Sequence, residues 1–288
     1  MAGLVCESFL GWRGVFYIHS IVGILVFVLW IIFYIENPQN TQRLSEKELL
    51  AIKKDKSSAH LQTQVEVPYK KIITSPVILM VWLNSFIELA TIIFFTTYMP
   101  IYFRQVLGYS IRETGFYVGL FLGASMPVRI IVAIVCDKLT IISESWKIAI
   151  YNTIAVGIFG AVAGSIGFFP PGHRFLVFLL CAISVSLASF NTGGFYKCAT
   201  FHARQFAHVV IAAIQFTKCL ALFVAPTLVA FFVDDEGDRS QWIPIFLIFG
   251  TANFVINIIS LFIFTDEPAE WTLTEDEKYQ DQEVEDQT

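Results

Sequence analysis

Three ionisable side chains lie deep inside apolar stretches: Glu88, Arg129 and Lys218. A charge in hydrocarbon is costly, so each must find a partner, a watered cavity or the interface. The neighbours of Glu88 suggest a cavity. Asn84 and Thr91 stand at i−4 and i+3, so on a helix the three share one face. Such a stripe suits substrate or ion coupling. Gln215 stands one turn before Lys218, and a Glu88–Lys218 ion pair is the simplest partnership, as a bundle staple or as a gate. Asn191 is a further pathway candidate, set beside Gly193-Gly194. Arg129 lies nearer the end of its stretch, from which its long side chain can snorkel. With Asp137 and Lys138 it reads as a structural or gating network at the membrane face. Asn253 and Asn257, four apart on one face, fit interhelical glue as well as they fit a pathway role.

Catalysis is not indicated. No carboxylate pair, no nucleophile with a base and no metal-ligand spacing stands out, so the expectation is no enzyme, no metal and no cofactor. Cys6, Cys136, Cys181, Cys198 and Cys219 show no Cys-x-x-Cys and read mostly as small buried residues. No basic patch suggests nucleic acid.

The elements that must position these groups are membrane spans. Hydrophobic residues make up 56 % of the 288 and charged residues 15 %, against roughly 25 % charged in a soluble domain. Apolar runs occupy residues 14–35, 76–98 (continuing toward 103), 115–136, 148–169, 175–196, 208–232 and 242–264. Each approaches the roughly 20 residues that cross a bilayer as helix. Seven such runs define an all-α, polytopic membrane protein whose first partner is the lipid bilayer. They are too long, and too evenly apolar, for the strands of a transmembrane barrel.

Residues 36–75 form the one long polar interval. Ser45 and Glu48 make a capping box for a short amphipathic helix over 46–56, and Pro76 suits the first turn of the next span. Ser110 and Glu113 resemble another cap. Gly160 and Gly164 form a G-x-x-x-G pair that permits close helix contact. Pro170-Pro171-Gly172 is a tight connection, and residues 266–288 form an acidic tail, disordered beyond Trp271.

Basic residues fix an orientation. The side of the 36–75 interval holds Arg43, Lys47, Lys53, Lys54, Lys56, Lys70, Lys71, Lys138, Lys147, Lys197, Arg204 and Lys278, which is twelve. The other side holds Arg13, Arg104, Arg112, Arg174 and Arg239, which is five. The positive-inside rule then puts the N-terminus outside or in a lumen and the C-terminus in the cytoplasm.

Several motifs carry a resemblance. Gly11-Trp12-Arg13-Gly14-Val15-Phe16-Tyr17 resembles the G-W-x-x-V-F-Y start of the sixth helix in the anion/cation symporter branch of the major facilitator superfamily. That branch includes sodium/phosphate cotransporters, sialin and vesicular glutamate transporters. Val67-Pro68-Tyr69-Lys70-Lys71-Ile72-Ile73-Thr74-Ser75-Pro76 is similar to its V-P-W-x-x-I-x-x-S-P start of the seventh helix. Met99-Pro100-Ile101-Tyr102-Phe103 resembles its L-P-x-Y-F exit, and Gly193-Gly194-Phe195-Tyr196-Lys197 its glycine-containing tenth-helix end, most like divergent invertebrate members.

The resemblance implies a twelve-helix transporter with two six-helix halves, of which the seven runs are helices 6–12, the first five being absent. Residues 1–35 are then the last helix of the N-terminal half, 36–75 the cytoplasmic linker and 76–265 the C-terminal bundle. The implied function is secondary transport of an organic or inorganic anion, coupled to Na+ or H+, in a plasma or intracellular vesicle membrane. The implied partners are that small anionic solute, the coupling ion and a full-length homologue. The sequence departs from the pattern at Glu88, where vesicular glutamate transporters carry an arginine. It also departs at Phe201 and Arg204, which replace an aspartate and a proline, and at Cys136-Asp137-Lys138, which keeps only an acidic-basic remnant of a loop signature. Two other readings stand beside this one: a non-transporting truncated subunit or regulator of a full-length homologue, and a seven-helix receptor. The receptor lacks support from Asp-Arg-Tyr or Asn-Pro-x-x-Tyr motifs.

Overall fold

The computed structural model describes Val5 and residues 11–34 and 66–273. The capping box at Ser45 and Glu48 with its helix, Cys6, and the tail from residue 274 onward lie outside the described residues. The chain divides into two compact units, Met1–Val67 and Pro68–Thr288.

In the first unit, α1 (Gly11–Phe33) is a single apolar helix, long enough to cross a bilayer. The second unit opens with the short α2 (Tyr69–Thr74) and the long α3 (Pro76–Gln105). Ser75 separates them with extended backbone and accepts from the Ile78 N–H at 3.5 Å, and Pro76 fills the first helical position as expected. After the turn at Gly108, α4 (Ile111–Lys138) starts on a full capping box. Glu113 N–H donates to Ser110 Oγ at 3.2 Å and Ser110 N–H donates to Glu113 Oε2 at 2.9 Å.

The next rod, Glu144–Phe168, is continuous but not uniform. It runs as α5 (Glu144–Asn152), a π-helical stretch (Thr153–Ile158), α6 (Phe159–Ser165) and a closing 3-10 turn. The chain then enters α7 (Arg174–Ala188), a 3-10 turn (Ser189–Thr192), α8 (Phe195–Ala203), a second 3-10 turn (Arg204–Phe206), α9 (Ala207–Ala221) and α10 (Val224–Phe232). Asp238 caps α11 (Arg239–Ser260) by accepting from Ser240 N–H at 2.9 Å.

Among the described residues, six helical runs are long and apolar enough to cross a membrane, not the seven expected. The difference lies in one place. The runs expected at 175–196 and 208–232 fall inside a single helical stretch, Pro171–Phe232. Its polar connection contains no coil, because α8 and the Arg204–Phe206 turn fill it. Arg204, at φ 42°, is the one described non-glycine residue in the left-handed region. There the path bends, and α8 and α9 pack on each other. The protein is an all-α, multi-pass helical bundle.

Among the described residues, aromatic and glycine contacts help to hold the second unit. Aromatic rings join α3 to α11: Phe94 meets Phe246 edge-on at 5.4 Å, and Tyr102 meets Trp242 at 5.6 Å. The α5–α6 rod and α11 approach through Gly160, Gly164 and Gly250. A Cβ on Gly250 would stand 2.6 Å from Gly164 Cα and 2.8 Å from Gly160 O. The G-x-x-x-G pair therefore packs as expected, with Gly250 as its complement. Of the described cysteines, Cys136, Cys181 and Cys198 are buried and Cys219 is exposed; all four are free.

The segment after α11 is ordered by specific bonds. Thr265 O accepts from Cys198 Sγ, Ala269 N–H donates to His202 O at 3.0 Å, and Thr272 O accepts from Gln205 Nε2 at 3.0 Å. Asp266 bonds Ser145. Trp271 packs its ring on Phe206 and His202. Trp271→Ala is therefore expected to release this strap. Amide hydrogen exchange should rise across residues 195–206 and stay unchanged in α3.

Candidate functional site

Glu88 lies near the middle of α3 and is 1 % exposed. Its Oε1 accepts a hydrogen bond from Asn191 Nδ2 at 2.8 Å. Its Oε2 is buried and has no hydrogen-bond partner. Asn191 reaches it because the helical run breaks there. The Ser189–Thr192 turn is 3-10, Gly193 and Gly194 follow as a turn, and α8 begins only at Phe195. Both glycines are needed for packing. A Cβ on Gly194 would stand 3.0 Å from the Asn152 backbone, and one on Gly193 would collide with the Tyr151 ring. Discontinuous helices beside buried polar groups recur at the binding sites of transporters.

The Arg129 guanidinium of α4 interacts electrostatically with the Glu88 carboxylate, and both interact electrostatically with the Tyr196 phenol of α8. Arg129 is exposed on the second unit, as its position near the end of a span allowed.

The polar stripe on α3 divides. Asn84 and Thr91, both fully buried, turn toward the α5–α6 rod and α11 rather than toward Asn191. Asn253 Nδ2 donates to Thr91 Oγ1 at 2.7 Å. Asn152 Nδ2 lies 3.3 Å from Asn84 Oδ1, 3.0 Å from Asn257 Oδ1 and 3.0 Å from Ser260 Oγ. These amides form a buried ladder between three elements, which is the glue alternative for Asn253 and Asn257. Asn152 is its hub. Its signal was the same as for the others, an amide within an apolar run.

Lys218 does not meet Glu88. It and Gln215 are exposed on α9, whose buried side carries Val210, Ile214 and Ala221. That side faces α3, where Trp82 Nε1 donates to Val210 O at 3.2 Å and Ser85 Oγ lies 3.2 Å from Thr217 Oγ1. Asp137 and Lys138 are exposed, and neither forms an ion pair with Arg129 or with another described residue. The ion pairs at this end belong to Glu144. Its Oε1 is 2.7 Å from Lys147 Nζ, and its Oε2 is 2.6 Å from Lys197 Nζ.

The Asn191 bond has a measurable worth. A hydrogen bond to a charged group contributes about 1.5–3 kcal/mol net, and orphaning the buried group costs more than removing both partners. Asn191→Leu is expected to lower the free energy of unfolding by about that amount. Glu88→Leu/Asn191→Leu should be less destabilised than Asn191→Leu alone. Equilibrium unfolding in mixed micelles gives both numbers.

Multiple apolar helices around a buried polar centre, with a broken helix at that centre, make this a transporter-like membrane bundle. The chain belongs to the Major Facilitator Superfamily, whose family profile matches residues 1–226. This is a family of transporters rather than catalysts. The chain is 27 % identical over 300 residues to the uncharacterized transporter slc-17.3 of Caenorhabditis elegans, covering 96 % of this chain and 53 % of that protein. It is 23 % identical over 286 residues to human sialin, with 96 % and 55 % covered. It is 23 % identical over 284 residues to human sodium-dependent phosphate transport protein 1, with 94 % and 58 % covered. The chain thus spans about half the length of these relatives and is homologous to their anion/cation transporter group.

Proposed function

We propose that the chain forms one bundle of a secondary transporter for a small organic or inorganic anion, coupled to H+ or Na+, that works by alternating access against a second bundle. The observation that carries this reading is the Glu88 carboxylate, buried with one oxygen held by Asn191 and the other bare. A half-satisfied carboxylate is a poor staple. It is a suitable place for a proton or Na+ to bind and leave. Arg129, exposed and within electrostatic reach of Glu88, is the cation that we assign to the anion. By the resemblance, Glu88 falls where vesicular glutamate transporters carry an arginine, and a charge reversal there favours a cation-coupling role for it over anion binding. Lys218, Gln215, Asp137 and Lys138 have a place on the exposed face toward the second bundle.

The same reading gives the topology. As α-helix the 62 residues of Pro171–Phe232 would extend about 90 Å, some three times the hydrocarbon thickness, so the stretch crosses twice with its turn near Arg204. Seven crossings result, equivalent to helices 6–12, with residues 1–35, 36–75, 76–265 and 266–288 as the parts already named. The basic bias orients the C-terminus to the cytoplasm of a plasma or vesicle membrane. A second reading stands beside this one, a non-transporting subunit that assembles with a full-length homologue.

Proteoliposomes separate the two. They are prepared with the chain alone and with a co-expressed full-length homologue, and given labelled phosphate or glutamate under an imposed Na+ or pH gradient. Uptake that collapses when the gradient is dissipated supports transport. Co-purification with the homologue, but no change in its uptake, supports the silent subunit. Absence of both sinks the two readings.

A further inference from the structure

A pocket of about 260 Å³ lies where α3 ends and α4 begins, about 24 Å along α3 from Glu88. Its lining includes Pro100, Ile101, Arg104 and Gln105 from α3, Thr114 from α4 and Glu236 from the loop before α11. The polar groups are placed by specific bonds. Gln105 Nε2 donates to Glu236 Oε2 at 3.4 Å. Glu236 O accepts from Trp242 Nε1 at 3.1 Å, which ties the loop to a fully buried ring. The Ser110–Glu113 capping box sets the first turn of α4, and with it Thr114. That box also engages the Glu113 carboxylate, so Glu236 is the acidic group that lines the pocket.

Two features of this lining call for a ligand. Thr114 is 8 % exposed, and its hydroxyl oxygen is buried without a hydrogen-bond partner. Such an orphan is costly until a partner arrives. Arg104 and Glu236 are both exposed at the pocket, yet they form no ion pair with each other or with another described residue. Opposite charges that share one small pocket without meeting leave the space between them to a molecule with both complements. We infer that the pocket binds a small zwitterion, its anionic oxygen group at Arg104 and Thr114 and its ammonium at Glu236. A phosphate or carboxylate suits a guanidinium, whose N–H donors lie in one plane, and the hydroxyl adds one donor more. Glu236 already accepts from Gln105 through Oε2, and its Oε1 completes the place for the ammonium. Pro100 and Ile101 give an apolar wall to the carbon atoms between the two charges. The pocket lies at the ends of two membrane-crossing helices, at headgroup depth. The same chemistry therefore reaches it from two sources, a free amino-acid-like solute or the phosphoethanolamine headgroup of a lipid.

The test reads binding, not transport, and phosphoethanolamine is the probe. Its binding to the purified full chain in dodecyl maltoside is followed by saturation-transfer NMR. Cys181, fully buried beside Met99, must stay unreactive to maleimide as the mark of a folded chain. Saturable binding is expected. Arg104→Gln and Glu236→Gln, both at exposed positions that the fold does not need, should each weaken it at least about tenfold, the worth of one charge-assisted bond. Thr114→Val should weaken it severalfold. Arg112→Gln, at an exposed arginine outside the pocket, should leave it unchanged. Inorganic phosphate, which lacks the ammonium, should compete at least about tenfold less well than the probe. Dihexanoyl phosphatidylethanolamine separates the two sources. Tighter competition than by phosphoethanolamine itself assigns the site to a lipid headgroup, weaker competition assigns it to a free solute, and either supports the zwitterion site. No saturable binding, or binding that Arg104→Gln and Glu236→Gln leave intact, overturns the proposal. Equal competition by inorganic phosphate overturns the ammonium's place at Glu236, and unchanged binding in Thr114→Val overturns the hydroxyl contact.

Discussion

From the coupling role proposed for it, Glu88→Gln is expected to abolish uphill accumulation of the anion while leaving exchange of internal for external anion intact. A gradient of one pH unit stores about 1.4 kcal/mol per proton, enough to concentrate a solute about tenfold at one proton each. A glutamine keeps the length and shape of the side chain and can still accept from Asn191. It cannot carry a proton or hold Na+ as a carboxylate does. The accumulation ratio should therefore fall from about ten to about one. Exchange needs no net movement of the coupling ion, so its rate should stay within about threefold, a cost near 0.7 kcal/mol. Parallel assays in one proteoliposome preparation, of either the chain or its complex with a full-length homologue, compare the two. A Glu88→Gln protein that still concentrates its substrate would remove Glu88 from the coupling step. One that loses exchange as well would make Glu88 part of the anion site or of the fold. Arg129→Gln supplies the contrast, since loss of the cation that we propose for the anion should weaken exchange and accumulation together.

The parts of this fold that were legible in the sequence are those fixed by local chemistry. Ser75-Pro76 and Ser110 with Glu113 declare helix starts through the groups that they satisfy within one turn. Apolar runs of spanning length declare the class. The partner of Glu88 was not legible, for an equally physical reason. At about 100° per residue, Asn84 and Thr91 stand some 20° apart around α3, while Glu88 stands some 40° from one and 60° from the other. One stripe can thus serve two neighbours, and the sequence of α3 does not say which. Lys218 shows the same limit from the other side. In a helix apolar on every face, the stripe Val210, Ile214 and Ala221 does not stand out, so nothing marks Lys218 as lying off the packed side. Tyr196 had no signal beyond the glycines before it. The connection between the fifth and sixth runs was polar enough to read as a break, yet its residues complete helical turns, and the two runs join.

Gly250→Leu is expected to prevent stable packing of α11 on the α5–α6 rod. The reason is which atoms stand in the way. The first side-chain carbon would meet Gly164 Cα at 2.6 Å, Gly160 O at 2.8 Å and Gly164 N at 3.0 Å, all of them backbone. No rotamer change relieves a backbone contact, so the two helices must move apart. Separation then stretches the amide ladder that crosses the same interface, Asn152 to Asn257 and Ser260. Overpacking alone costs about 1–3 kcal/mol, and more where the surroundings are rigid. Each buried amide left without its partner adds about 1–3 kcal/mol. Even Gly250→Ala should lower the unfolding free energy by at least about 2 kcal/mol. Gly123→Ala in α4 is the control with the opposite sign. Nothing lies within 4 Å of its new Cβ, and a helical glycine replaced by alanine gains about 0.5–1 kcal/mol. Equal effects of the two alanine substitutions in mixed-micelle unfolding would mean that the glycine contact does not hold this interface.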